Sequence, residues 1–231
     1  MHDDPLALSD FCGTARLFPL PDLVLFPSVV QPLHIFEARY RQLTADALAS
    51  DRLMALALLK PGWEEDYQER PPIFSVVCLG RIFKEERLAD GRYNLLLHGL
   101  SRARIVEELP ADHLYRTAHV GLLQEASDPP GLPGRDLRKR LGQQMKRWLS
   151  SRDAALDQLD NLLKSSLTLG TLCDIFSFAL PFGSELKQAL LEEMDPARRV
   201  DRLLSQLDML EPPSETDKVL PGRFPPEFSS N

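Results

Sequence analysis

Short apolar segments separated by prolines occupy the start of the chain, and they are typical of β-strands. Four prolines interrupt the apolar pieces within residues 15–35. Because proline removes a backbone donor from a strand ladder, we expect these pieces to be edge strands or strands broken by bends. Residues 37–50 change to a helical period and predict a helix. The apolar run at residues 53–59 fits a buried strand, although a helix has the same composition.

The clearest local signal is Asp90-Gly91, which separates two long strand-like runs at residues 73–88 and 92–106. Glycine supplies the positive φ that a tight turn needs, so we expect the two runs to pair as a hairpin. Residues 115–124 offer one further strand. Several strands and one helix before residue 125 predict a small β-barrel, because closure leaves no strand edge exposed.

Beyond residue 134 the apolar positions recur with a helical period, and they predict a bundle of helices. The segment before it, Ser127-Asp128-Pro129-Pro130-Gly131-Leu132-Pro133-Gly134, is the strongest break in the chain. Asp195 can cap a helix that starts at Pro196, where a missing N–H costs nothing, and Pro212-Pro213 is expected to end it. The predicted apolar stripes start at Leu137, Leu156, Leu169, Leu186 and Val200.

These patterns predict an α+β fold with two subdomains. Residues 14–126 form the β-barrel subdomain, residues 127–134 the linker, and residues 135–211 the helical bundle subdomain. Residues 1–13 are expected to be a flexible N-terminus, and residues 212–231 a proline-rich flexible tail.

Composition and charge narrow the classes of partner. The 231 residues are 43% hydrophobic and 26% charged, and the net charge of −7 argues against broad attraction to nucleic-acid phosphates or an anionic membrane. Cys12, Cys78 and Cys173 lie far apart, which favours reduced thiols over a disulfide framework or a zinc site. With neither a secretory signal nor an apolar run of the ~18 residues that cross a bilayer, we expect a soluble cytoplasmic protein.

Catalytic motifs are missing from the sequence, so we expect no enzyme, no cofactor and no metal site. The chain lacks the phosphate-binding G-x-x-x-x-G-K-[ST] loop, the G-x-S-x-G serine turn and the H-E-x-x-H zinc motif. Its five histidines lack metal-ligand spacing. His34 and His98 lie in apolar strands, and we expect them to be packed and hydrogen-bonded rather than catalytic.

Two segments remain as candidate binding surfaces. Trp63 and Tyr67 lie in the polar segment 61–72, where loop aromatics either anchor a partner or cover the end of the barrel. The second segment is a basic run, which fits the solvated side of an amphipathic helix better than a polyanion site in so acidic a chain. Its members are Arg135, Arg138, Lys139, Arg140, Lys146 and Arg147.

Several motifs in register give the chain a family resemblance. They lie at residues 17–27 (LFPLPDLVLFP), 32–40 (PLHIFEARY) and 90–100 (DGRYNLLLHGL). Together with the helix pattern LKQALLE at 186–192, they closely resemble the N-terminal substrate-binding domain of the Lon ATP-dependent proteases. The resemblance extends over roughly residues 14–210 in the same order.

The resemblance implies a PUA-like pseudo-barrel followed by a helical bundle, and a role in recognising polypeptide. The ATPase and Ser–Lys peptidase modules of the family unfold and cut substrates, and we expect this chain to end before either. Ile35, Phe36 and Tyr40 match the family motif and are expected to pack the first helix onto the barrel. No binding residue is carried over from these motifs.

We therefore expect a stand-alone, non-catalytic domain that binds unfolded or tagged polypeptide as an adaptor or regulator of proteolysis. A full-length Lon-type protease is the candidate protein partner. Docking is expected in an apolar groove between barrel and bundle, with an exposed strand edge offering backbone pairing. The alternative, an RNA-binding PUA-like module, would use the basic run and lose affinity steeply as salt rises.

Overall fold

The computed structural model describes residue 8 and residues 11–66, 69–149 and 153–210, which form six strands and six α-helices. The strands are β1 (Thr14–Leu20), β2 (Val30–Ile35), β3 (Leu53–Leu58), β4 (Val76–Arg87), β5 (Tyr93–Glu108) and β6 (Arg116–Leu122). The helices are α1 (Ala38–Leu48), α2 (Gly131–Trp148), α3 (Asp153–Lys164), α4 (Leu169–Ala179), α5 (Ser184–Leu191) and α6 (Pro196–Met209). A mixed sheet accompanied by helices confirms the predicted α+β class. Of these helices, none is long and apolar enough to cross a membrane.

The sheet closes on itself through β6. The strand order is β2-β5-β4-β3-β1-β6, and β6 pairs with both β1 and β5. The pair β1–β3 is parallel and the remaining pairs are antiparallel. Closure gives five strands a neighbour on both sides, and β2 is added beside β5 outside that ring.

The long strand β5 belongs to two parts of the sheet. Residues 93–98 pair with β2 and with the end of β4, whereas residues 103–108 pair with β6. The first stretch therefore continues past the closed ring as a three-stranded extension, made of residues 30–35, 82–87 and 93–98. We use the name three-stranded extension for this part of the sheet below.

The prolines within β1 and β2 lie where one side of the strand has no paired neighbour in the part of the chain that the structure describes. β2 contains Pro32 and is an edge strand as predicted, since among the described residues it pairs with β5 alone. The edge prediction is wrong for β1, which contains Pro19 and lies between β3 and β6. Because β6 pairs only with residues 14–17, Pro19 lies beyond its end and takes no donor from that ladder.

The predicted turn and helix cap are confirmed. Gly91 has a φ of 81° in the turn between β4 and β5. The Asp195 carboxylate accepts hydrogen bonds from the backbone N–H of Ala197 at 2.8 Å and of Arg198 at 3.3 Å, and Pro196 is the first residue of α6. The tail 212–231, the Pro212-Pro213 stop and most of the N-terminal segment 1–13 lie outside the described residues.

Helix α2 begins at Gly131, inside the segment predicted as the linker. Pro133 falls in its first turn, where a missing N–H removes no bond within the helix. The irregular connection after β6 therefore spans residues 123–130 and ends four residues before the predicted linker does. The helical period beyond it is confirmed, with Leu141, Met145 and Trp148 buried along α2.

Two apolar clusters hold the fold together. The smaller one draws on all five strands of the closed ring, with members such as Leu17, Ala55 and Val77, and fills the ring interior. The larger one joins the three-stranded extension and α1 to the helical part, from Leu97 on β5 to Leu203 on α6. Sheet and helices therefore share one continuous apolar core.

Candidate functional site

The surface of the three-stranded extension that faces away from the core is the candidate binding surface. Along β5 the leucines at 95 and 97 belong to the larger core, so the residues between them point the opposite way. Residues paired across strands lie on the same face, which defines the rest of the surface. We call this surface the outer face. Its β5 residues are Asn94, Leu96 and His98, which pair with His34, Pro32 and Val30 on β2 and with Glu86, Lys84 and Arg81 on β4. The aromatic residues Phe36 and Phe83 complete it.

Two aromatic groups lie at opposite ends of the outer face. Phe36 is 61% exposed, and its ring centroid lies 6.3 Å from that of His34. Phe83 is 52% exposed and meets His98 edge to face, with centroids 6.5 Å apart. Leu96, only 8% exposed, lies between them. Large apolar side chains grouped on one exposed face mark an interaction site.

A bulge in β4 presents Phe83 to solvent. The β4–β5 register shifts between Ile82 and Lys84, so that Phe83 and Lys84 together oppose Leu96. A bulge places an additional residue opposite one partner and redirects side chains locally. Lys84 is exposed and makes no hydrogen bond or ion pair within the described part of the chain.

Phe36 corrects the expectation drawn from the family motif. Ile35 and Tyr40 are buried at 2% and 4% exposure, as expected for residues that pack α1 against the sheet. Phe36 instead faces solvent, because neighbouring residues at the end of a strand point to opposite faces. One of the two adjacent apolar residues therefore has to leave the core.

A polar network crosses the outer face and fixes the ring of His34. The Asn94 amide oxygen lies 2.7 Å from His34 Nδ1, and its amide nitrogen donates to Glu86 Oε2 at 3.1 Å. Since the amide oxygen can only accept, His34 Nδ1 carries the proton and Nε2 accepts from the Arg92 guanidinium at 3.3 Å. His34 is thus hydrogen-bonded as predicted, but it is exposed rather than packed.

The predicted candidates Trp63 and Tyr67 contribute less to this picture. Trp63 opens a short 3-10 helix, Trp63–Asp66, and is half-buried, whereas Tyr67 lies outside the described residues. A cleft of about 140 Å³ lies between the flanks of this loop and the start of α1, with Pro71 and Tyr115 in its walls. Ligand sites typically measure about 300–1,000 Å³, so the cleft admits at most a side chain.

A buried ion cluster occupies the contact between sheet and helices, where an apolar groove was expected. Arg102 of β5 donates to both carboxylate oxygens of Asp174 on α4, at 2.8 and 2.6 Å. The Arg199 guanidinium of α6 lies 3.2 Å from the same carboxylate, and Glu125, in the segment after β6, pairs with both arginines. Arg102 and Asp174 are 2% exposed and Arg199 is fully buried. The four residues of the buried ion cluster therefore tie β5 to α4 and α6.

Burial and charge act against each other within the buried ion cluster. Burial lowers the pKa of Arg102, but the Asp174 carboxylate, aided by Glu125, outweighs it and the pKa is raised. Burial raises the pKa of Glu125 against the opposing effects of Arg199 and Arg102. Arg102 also donates to the carbonyl of Leu191, the last residue of α5, at 2.8 Å, and Arg199 donates to the carbonyl of Glu193, just beyond it, at 2.6 Å. This contact is therefore polar, and its guanidinium groups are bound by carboxylates and backbone carbonyls.

At least three of the six residues of the basic run have intramolecular partners that the structure defines. Arg138 donates to carbonyls at the end of α3 and just beyond it, including Leu163 and Leu167. Lys146 pairs with Asp160, and Arg140 lies 3.4 Å from Asp201. Because Arg140 and Lys146 are paired with carboxylates and Arg138 is held by carbonyls, the run is less available to nucleic-acid phosphates than a free basic patch.

Metal-ligating and reactive groups do not assemble among the described residues. These residues contain no cluster of three or more His, Cys, Asp or Glu side chains able to hold a metal ion. Cys78 and Cys173 are buried, and burial raises the pKa of Cys173 to about 12, while Cys12 is exposed. The thiols are all free.

Comparison with known proteins agrees with the fold. The family described as the ATP-dependent protease La (LON) substrate-binding domain matches residues 14–209. The Lon protease of Aquifex aeolicus is 27% identical over 190 residues, which are 81% of this chain and 24% of that protein. Lon protease 1 of Syntrophobacter fumaroxidans is 26% identical over 207 residues, which are 90% of this chain and 25% of that protein. This chain spans about a quarter of the length of these relatives.

Solved structures with the same architecture include a Lon N-terminal domain protein from Xanthomonas campestris, with a TM-score of 0.62 and 25% identity. The match covers 83% of this chain and 97% of that one. The N-terminal domain of a Mycobacterium avium complex Lon protease gives a TM-score of 0.65 at 20% identity, covering 85% of this chain and 98% of that one, which shows the fold alone.

Fold and family match together define a substrate-binding domain. The chain belongs to the family of the Lon protease substrate-binding domain, which confirms the resemblance seen in its motifs.

Proposed function

We propose that this protein binds unfolded or extended polypeptide on its outer face, without changing it covalently, and acts as an adaptor or regulator of proteolysis. One observation carries the proposal: a chain of a substrate-binding family exposes Phe36 and Phe83 on one sheet face. Unfolded polypeptides expose the apolar side chains that folded proteins bury. A face of this kind therefore discriminates unfolded chains from folded ones.

The expected affinity is modest. Covering the exposed parts of two phenylalanine rings removes on the order of 200 Å² of apolar surface from water, which is about 5 kcal/mol. Ordering a flexible chain costs roughly 2–5 kcal/mol of that gain. The two rings alone therefore leave at most about 3 kcal/mol, which is weaker than millimolar binding. Binding at about 1 mM also requires contacts with the rest of the outer face, and release requires no energy source.

The same proposal covers the architecture and the partner. The closed sheet through β6 supports a PUA-like pseudo-barrel over residues 14–126, and the helices from α2 onward support a helical bundle that ends near residue 211. Because the family match covers a substrate-binding domain alone, we assign no catalysis to the chain. A full-length Lon-type protease is its proposed partner, to which it delivers polypeptide or from which it withholds it.

Fluorescence anisotropy with a labelled, reduced and carboxymethylated protein tests the binding step. We expect saturable binding at chain concentrations up to about 1 mM, and at least roughly tenfold weaker binding by the F36S/F83S double variant. Val106→Ser is the matched control, because Val106 is 73% exposed but lies eight residues beyond His98 on β5. Absence of binding by the unaltered protein, or an equal loss in the control, would contradict the proposal.

A degradation assay tests the proteolytic role separately. Adding the chain to a full-length Lon-type protease and an unfolded substrate is expected to change the degradation rate in a concentration-dependent way. The F36S/F83S variant is expected to leave the rate unchanged. If the unaltered chain has no effect while still binding the substrate, the adaptor or regulator role is excluded.

A further inference from the structure

The edges of the three-stranded extension decide whether a polypeptide can bind through its backbone or only through its side chains. This inference rests on the polypeptide binding proposed above. An extended chain can add to an exposed sheet edge through backbone hydrogen bonds, or it can lie across a sheet face through its side chains. Among the described residues, the extension has two unpaired edges: β2 on one side and residues 83–87 of β4 on the other.

The edge of β2 is closed at its centre. Gly99 donates its N–H to Val29 at 2.8 Å, so in this antiparallel ladder the backbone groups of Val30, Pro32 and His34 point away from β5. Pro32 has no N–H to offer, and its carbonyl accepts a hydrogen bond from the Gln31 amide at 2.7 Å. An added strand would find neither a donor nor a free acceptor in the middle of this edge.

The edge of β4 is closed by charge. Lys84, Glu85, Glu86 and Arg87 follow one another along it, and charged side chains are a common protection against strand addition. Arg52 reinforces this edge, because its guanidinium donates to the Ile82 carbonyl at 2.7 Å and pairs with Glu85. Backbone pairing is therefore disfavoured on both sides of the extension.

The outer face, by contrast, is open and has a regular spacing. The His34–Phe36 pair lies at the row of Asn94, Lys84 lies at the row of Leu96, and the Phe83–His98 pair includes the next row. Successive rows are two residues of β5 apart, roughly 6.6 Å, so the rows of His34 and His98 are about 13 Å apart along the direction of β5. An extended peptide repeats its side chains on one face with the same two-residue period.

We infer that the outer face binds an extended polypeptide segment through side chains alone, and that the preferred segment carries large apolar residues at positions i and i+4 with an acidic residue at i+2. The apolar residues contact the two aromatic groups. The acidic residue meets Lys84, the cation between them that has no ion-pair partner among the described residues. Charge complementarity thus selects acidic over basic segments of equal hydrophobicity.

Four labelled peptides test the inference by anisotropy against the full chain. The reference peptide carries Phe at i and i+4 and Glu at i+2; the others replace Glu with Lys, move the second Phe to i+3, or carry N-methyl groups on the backbone at i+1 and i+3. We expect N-methylation to change affinity by less than about threefold, since loss of two backbone hydrogen bonds would cost about tenfold or more. Glu→Lys is expected to weaken binding about two- to fivefold, as for an exposed ion pair. The i+3 peptide is expected to bind more weakly than the reference, because its second Phe points to the opposite side.

A charge reversal makes the test specific to Lys84. In Lys84→Glu the preference between the Glu and Lys peptides is expected to invert, whereas Val106→Ser is expected to keep it. Loss of tenfold or more on N-methylation, or a charge preference that Lys84→Glu leaves unchanged, overturns the inference. Failure of every peptide and of an unfolded protein to bind would instead reject the proposed function.

Discussion

Replacing Asp174 by asparagine should lower the free energy of unfolding more than the same replacement of an aspartate at the surface. Asp174 lies between the Arg102 and Arg199 guanidiniums, which leave 2% and 0% of their surface to solvent. Asp174→Asn leaves two buried positive charges that face only Glu125. One positive charge is then uncompensated on guanidinium groups that are almost fully buried.

The size of the loss follows from this geometry. Breaking a buried ion pair by removing one partner typically costs about 3–5 kcal/mol. Asparagine keeps one acceptor oxygen for Arg102, so we expect Asp174→Asn near the lower value, about 3 kcal/mol, and Asp174→Leu near the upper one. The double variant Arg102→Met/Asp174→Leu removes both charges and leaves the Arg199–Glu125 pair, whose charges cancel. Its loss in the free energy of unfolding should therefore be about 2 kcal/mol smaller than the sum of the losses in Arg102→Met and Asp174→Leu.

Urea unfolding followed by circular dichroism measures these differences. Asp201→Asn is the matched control, because Asp201 and its partner Arg140 are 57% and 58% exposed and lie 3.4 Å apart. An exposed pair contributes less than about 1 kcal/mol. If Asp174→Asn costs no more than Asp201→Asn, the buried ion cluster does not hold sheet and helices together and the reasoning is refuted.

Three further predictions concern packing, thiol chemistry and pH. Gly170→Ala is expected to lower the free energy of unfolding by about 1–3 kcal/mol, because a methyl group there would overlap the Glu125 carboxylate; an unchanged melting temperature would contradict it. Ellman's reagent is expected to modify Cys12 promptly at pH 8 but Cys173 only after urea is added, since burial raises the pKa of Cys173 to about 12; two prompt thiols would contradict it. Burial lowers the pKa of His98, so the unfolded chain takes up its proton first and stability falls as the pH is lowered below the usual value of 6.5. His98→Gln is expected to show a shallower fall between about pH 7 and 5, and an equal slope in both proteins would contradict the assignment.

Local patterns predicted much of the fold because the residues concerned act on their neighbours in sequence. Asp195 and Pro196 identify the start of α6 through bonds made within three residues. Gly91 marks its hairpin through its own backbone conformation. The start of α2 was misplaced because glycine and proline in the first turn of a helix resemble a linker when the hydrogen bonds are not visible.

The candidate site could be predicted only in part, because it depends on strand register. β5 is apolar on both faces around Leu96, so alternation alone does not say which leucines face the core. The bulge that presents Phe83 depends on the β4–β5 register. The exposure of Phe36 had a usable signal, since Ile35 and Phe36 are adjacent apolar residues at a strand end and cannot both point inward.

The same limit explains why the buried ion cluster was missed. Arg102 and Asp174 are 72 residues apart, and each is an ordinary charged residue in its local context. Neither a strand period nor a helix period indicates which arginine will be enclosed by helices packed later in the chain. A charge on an otherwise apolar helix, as Asp174 is on α4, was the one available hint.

The continuity of β5 has a mechanical consequence for the polypeptide binding proposed above. Leu96 lies in the proposed binding face, and Arg102, six residues further along the strand, bonds to α4 through Asp174. Tension directed along β5 loads its hydrogen bonds to β4 and β6 side by side, so they must rupture together rather than in sequence. We therefore expect the weaker side-chain contacts of the proposed complex to break under tension before the strand pairs of β5 do.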